Sequence, residues 1–117
     1  EYFMLENIGH DGYQAGLDYL IGGNEDTSGI AIWHIDENQS GNSDYTHKLV
    51  DLEEAADAGL DLGSHNGKQT NLFFSGNKTE FSNSTNPNSK TYAETSSGIT
   101  INNISTAGDS MTFDVSF

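Results

Sequence analysis

Asp36, Asn38 and Ser40 place oxygen-bearing side chains at alternate positions, Gly41 follows, and Asp44 falls at the ninth place of the run. This is the first part of a loop of the form D-x-[DN]-x-[DNS]-G, in which alternate side chains converge on a hard cation and the glycine permits the sharp turn. A calcium loop of the helix-flanked kind would close with a bidentate Glu at the twelfth place, where this chain has His47. A calcium site therefore needs completion by Asp51, Glu53 or a more distant carboxylate, and the candidate ligands are Asp36, Asn38, Asp44, Asp51 and Glu53. An Asp-Asn-Ser-Gly turn with no ion is the alternative.

Two neighbouring groupings bear on the same chemistry. Asp51, Glu53, Glu54, Asp57 and Asp61 crowd five carboxylates into a short stretch. Packed together they need a cation, a proton or a hydrogen-bond network, because like charges about 4 Å apart repel by roughly 1 kcal/mol in water and 4 kcal/mol when partly buried. His34 and Asp36 stand two apart, which on a strand puts them on one face, either as a ligand pair or as a polar link from a buried imidazole to a carboxylate. The sequence has no HExxH, P-loop, GxGxxG or GxSxG motif and no cysteine, so it offers neither a zinc-protease helix nor a thiolate. Trp33 is expected in the core rather than as a sugar-stacking platform.

The segment that must position these groups is Gly29 to Glu37, GIAIWHIDE. Ile30, Ala31, Ile32 and Trp33 are apolar at successive positions, the pattern of a strand buried on both faces, and the polar residues begin where it ends. Tyr2 to Asn7 reads as a strand closed by a turn at His10 to Gly12, and Gly16 to Ile21 as a weaker strand before the loop from Gly22 to Gly29. Lys48 to Ala55 alternates with Val50 and Leu52 on one face and Leu49, Asp51 and Glu53 on the other; a strand entering a turn is preferred there to a helix over Asp51 to Ala58. Asn71 to Phe74 is a compact apolar piece. Ser75 to Gly98 is a long polar segment anchored by Phe81 and Tyr92, serving as a functional loop or holding an edge strand. Ile99 to Ser105 and Ser110 to Phe117 form a hairpin, with Met111, Phe113, Val115 and Phe117 expected on the core side.

These elements predict an all-β fold, an antiparallel β-sandwich of about six to eight short strands, as one domain over residues 1–117. Eighteen acidic residues against four Lys and Arg give a formal net charge of −14. Nucleic acid and anionic membrane are poor partners for such a chain, since their phosphates are repelled. No apolar run reaches the roughly 20 residues that span a bilayer.

YFMLEN, GLDYL, GIAIWHIDEN, VDLEEA, NLFF and the closing GITINNIS and MTFDVSF occur in an order and spacing that resemble the region after the catalytic core in secreted bacterial metallopeptidases of the immune inhibitor A type. The resemblance covers nearly the whole chain and rests most on WHIDE and VDLEEA. It implies a secreted, extracellular parent whose zinc motif lies outside these residues, so no catalytic residue is carried over. Gly67 to Asn71, where the family often has an acidic stretch, carry no carboxylate. The expectation is an accessory, non-catalytic β-domain, monomeric by itself, that packs on or extends the catalytic domain of its parent chain with calcium steadying its loops. An extracellular carbohydrate- or surface-binding module is the alternative.

Overall fold

Strand β2 (Gly29–Ile35) is central to a three-stranded antiparallel sheet, between β1 (Tyr2–Ile8) and β3 (Val50–Leu52). The computed structural model describes residues 1–9, 28–56, 58–64 and 67–117. The expected turn at His10 to Gly12, the strand from Gly16 to Ile21, the loop from Gly22 up to Thr27, and Asp57 and His65 lie outside the described residues. The doubly apolar pattern of β2 has the outcome it predicts: Ile30, Ala31, Ile32, His34 and Ile35 are all buried, and Trp33 is half-buried.

Register follows from β2's two faces. β1 pairs along its full length, from Tyr2 opposite Ile35 to Ile8 opposite Gly29, and β3 pairs Trp33 with Leu52 and Ile35 with Val50. Directly paired residues share a face. Phe3 and Leu5 therefore join Ile30, Ile32 and His34 on the inner face, while Tyr2, Met4 and Ile8 join Ala31, Trp33 and Ile35 on the outer one. Beyond β3, the chain returns beside β2 through a mutual backbone pair between Ile30 and Phe73, both bonds 2.9 Å. Gly29 makes this return possible: its φ is +155°, and a Cβ there would lie 2.8 Å from the Leu72 Cβ.

The principal core gathers Ile30, Ile32, Ala55, Phe73, Phe81, Ile101 and Ile104, with Phe3, Leu5, Ile99 and Met111 packed against it. Ile101 lies in β4 (Thr100–Asn102), which pairs antiparallel with β5 (Asp114–Ser116) in a two-stranded sheet. A second cluster on the outer face joins Ile8, Ala31 and Leu72, with Trp33, Leu52 and Phe74 against it.

The chain is β-rich, with five antiparallel strands in two small sheets among the described residues. Two expectations change in detail. The strand expected over Lys48 to Ala55 shortens to β3: the Glu53 N–H still bonds Ile32 O at 2.9 Å, but by Ala55 the backbone has turned from β2 to Asn71 O, 3.0 Å. The hairpin forms, but its apolar face does not cover the core: Met111 packs against it, whereas Phe113, Val115 and Phe117 are exposed. β4 fills the core side, bridged to Phe81 through Ile101, so β5 is left as the outer strand of a two-stranded ribbon. Within Ser75 to Gly98, an isolated bridge at Phe81 is the extent of the strand pairing.

Candidate functional site

The polar end of β2 converges with the start of β1, the end of the 36–49 loop and the long segment before β4. Antiparallel pairing of Tyr2 with Ile35 brings Glu1 alongside the residues that follow β2. His34 is buried, with Nδ1 3.0 Å from Glu53 Oε1 and Nε2 3.2 Å from Glu1 Oε2. An ionised carboxylate only accepts hydrogen bonds, so two ionised partners are met together when both ring nitrogens donate, which favours the imidazolium. Burial alone pulls the His34 pKa down, but the hydrogen bonds and charges of Glu53 and then Glu1 outweigh it and raise the pKa above the ordinary value.

The ring is also packed on both sides. Phe3 lies with its centroid 4.4 Å away at a tilt of 39°, and Tyr92 stacks at 4.3 Å and 10°. Tyr92 in turn meets His47 at 4.0 Å and 30°, so the phenol ring separates two imidazoles. Its hydroxyl donates to Asp51 Oδ2 at 3.4 Å, and burial pushes its pKa well above the usual phenol value.

Asp36 belongs to a second group. Its Oδ1 accepts the backbone N–H and the side-chain amide of Asn38, both at 3.0 Å, and its Oδ2 accepts from His47 Nε2 at 2.7 Å. The Asn38 N–H and then His47 hold its carboxyl below the ordinary range. The loop between them is closed by Asp36 N to Leu49 O, 3.0 Å, and Leu49 N to Gly41 O, 3.1 Å. Asn42 braces it with bonds to and from the Val50 backbone.

Among the described residues, the carboxylates of Asp51, Glu54 and Asp61 are held in a network. Lys48 Nζ sits between Asp51, at 2.6 Å, and Asp61. Those two hydrogen bonds overcome the effect of burial and raise the lysine's pKa. Glu54 accepts from the Leu60 and Asp61 N–H groups and from Asn71. Burial raises the pKa of Asp51 despite Lys48 and that of Glu53 despite His34. Asp51, Glu53, Glu54 and Asp61 are among the residues that line a cavity of about 220 Å³, with Lys78 and Pro87 also in its wall.

The five expected calcium ligands are thus distributed over four groups. Asp36 and Asn38 meet, Asp44 accepts from the Thr46 hydroxyl and N–H, Asp51 holds Lys48, and Glu53 holds His34. The Thr46 hydroxyl is the main cause of the lowered Asp44 pKa. His34 and Asp36, expected as a pair, take separate partners. The metal-capable group among the described residues is instead Glu1, Asp36 and His47, with one donor atom from each lying within 4.8 Å of the others. His47 was visible in the sequence as the residue at the loop's closing position. Glu1 gave no local signal, since only the β1–β2 register brings it near Asp36.

Comparisons of this chain with protein families, curated proteins and solved structures found no match.

Proposed function

We propose that this chain is the accessory, non-catalytic domain of a secreted metallopeptidase of the immune inhibitor A type, a two-layer β-sandwich that packs against the parent's catalytic domain. The observation that carries the docking is the outer face of the β1–β2–β3 sheet, where Tyr2, Met4 and Val50 are 46%, 49% and 37% exposed beside half-buried Trp33 and Leu52. Glu6 borders this patch on the same face and accepts from Trp33 Nε1 at 3.1 Å; an exposed apolar patch with a polar rim is suited to another protein surface. Val115 on β5 and the flanking Phe113 and Phe117 add exposed apolar area elsewhere. The sandwich reading is supported by a core that draws Ile30 and Ile32 from one sheet and Ile101 from the other. The polar network at the end of β2 serves as internal bracing, since His34, Glu53 and Asp36 all have partners within the chain. A calcium ion held by all five expected ligands would require Asp44, Asp51 and Glu53 each to leave its present partner, so the docking proposal does not rest on one.

The test begins with the reading frame upstream of Glu1, which is expected to encode HExxH. The upstream catalytic domain, produced separately, is expected to bind this chain. Met4→Glu and Val50→Glu should weaken that binding at least tenfold while leaving the chain's own melting temperature nearly unchanged. The chain alone should not cleave casein. Absence of HExxH, or chelator-sensitive casein cleavage by this chain, overturns the proposal. Saturable glycan binding through the same face would favour a surface-binding module instead.

A further inference from the structure

We propose that Glu1, Asp36 and His47 form a binding site for a divalent transition metal of the zinc type, closed by the loop from Asp36 to His47. The donor atoms come from the start of β1, the residue after β2 and the end of the loop, and lie within 4.8 Å of one another. One imidazole nitrogen with two carboxylate oxygens suits zinc, cobalt or nickel, whereas calcium takes six to eight oxygens. The loop supplies a further reason. Its spacing is that of the start of a calcium loop, and it folds so that its first and twelfth residues meet at 2.7 Å, but the closing group is an imidazole. Replacing a bidentate carboxylate by a nitrogen donor shifts the preference of such a loop from a hard ion to a borderline one.

Each donor is already oriented by a second group, the arrangement that holds metal ligands in place. Asn38 binds Asp36 Oδ1 twice, which leaves Oδ2 directed at His47. Glu1 Oε2 accepts the Tyr92 N–H at 3.0 Å and faces His34 Nε2 at 3.2 Å. The His47 ring lies against Tyr92, and the Gln39 amide lies 3.2 Å from its Nε2. The Asp36 side chain is 4% exposed and Glu1 and His47 are 22% and 35% exposed, so a fixed ligand sits beneath two that can close over an arriving ion. Binding requires Nε2 to give up the proton it donates to Asp36 Oδ2: in a neutral ring the proton moves to Nδ1, and in a charged ring it leaves to solvent with Nδ1 still protonated; water completes the coordination.

The experiment uses the untagged chain, cleared with EDTA, and titrates zinc by calorimetry and cobalt by visible absorption, with calcium and magnesium as parallel arms. One zinc per chain is expected, with a cobalt spectrum of low-symmetry nitrogen and oxygen coordination and a higher melting temperature. His47→Gln and Asp36→Asn should each weaken zinc binding at least tenfold. Glu1→Gln, which also removes one of the two carboxylates that meet His34, should do the same while circular dichroism stays that of the parent chain. His10→Gln and His65→Gln should bind like the parent. Zinc binding that is undiminished in both Glu1→Gln and His47→Gln overturns the site, as does stabilisation by calcium without a response to zinc.

Discussion

At the scale of single residues, His34 is where the polar and apolar parts of the fold are joined. It extends the inner face of β2 beyond Ile32, yet both its nitrogens meet carboxylates and both its faces meet aromatic rings. Replacing it leaves Glu1 and Glu53 without their shared cation in a partly dehydrated place. A His34→Gln variant is expected to lose on the order of 3 kcal/mol, the cost of breaking a buried pair. The exposed Lys90–Glu94 pair should be worth less than about 1 kcal/mol by the same measurement. Urea unfolding followed by fluorescence of Trp33, the sole tryptophan, measures both. A His34 loss no larger than that of the surface pair would reduce the network to incidental contacts. The sequence made the His34 part of this legible, since a histidine following a buried apolar run is expected to find a carboxylate. Which carboxylate was not legible: nearness along the chain favoured Asp36, while strand pairing supplied Glu53 and Glu1.

At the scale of elements, the most legible feature was β2, because burial on both faces leaves an unbroken apolar run that a half-exposed strand would not have. The β5 face was misread for the complementary reason. Alternation shows that one face is apolar but not what covers it, and here β4, through Ile101, already fills the core side. The close return of the chain beside β2 was also hidden, although Gly29 marks it. Its φ of +155° disfavours side chains, and an added Cβ would come within 2.8 Å of Leu72 Cβ. Gly29→Ala should therefore cost at least about 1 kcal/mol, with the backbone conformation and the displaced Leu72 acting together. Gly41→Ala, where an added Cβ meets nothing within 4 Å, is the matched control. Equal urea midpoints for the two variants would show that the 28–30 and 72–73 segments do not press on each other as described.

For the whole molecule, the formal charge of −14 and the shifted groups act in the same direction over most of the pH range, so they have to be separated by experiment. His34 has a pKa raised above 6.5, so the folded chain holds this proton more tightly than the unfolded one. Its contribution is complete below the unfolded value and is lost as pH rises through the folded one. Glu53 and Asp51 are raised by burial above 4.5 and 3.8, so the fold gains stability as they take up protons on acidification. Asp36 and Asp44 are held below 3.8 and act oppositely: their contributions exist above that value and disappear as pH falls through their lowered folded pKa values. In EDTA, the melting temperature should rise from pH 8 towards about pH 5, then fall below about pH 4. General repulsion among carboxylates also eases on acidification, but about 1 M sodium chloride screens exposed charges far more than buried pairs. The rise between pH 8 and 6 should therefore persist in high salt for the parent chain and be largely absent from His34→Gln. If high salt abolishes the rise in the parent chain, or the variant keeps it, repulsion at the surface and not the buried imidazolium sets the pH dependence.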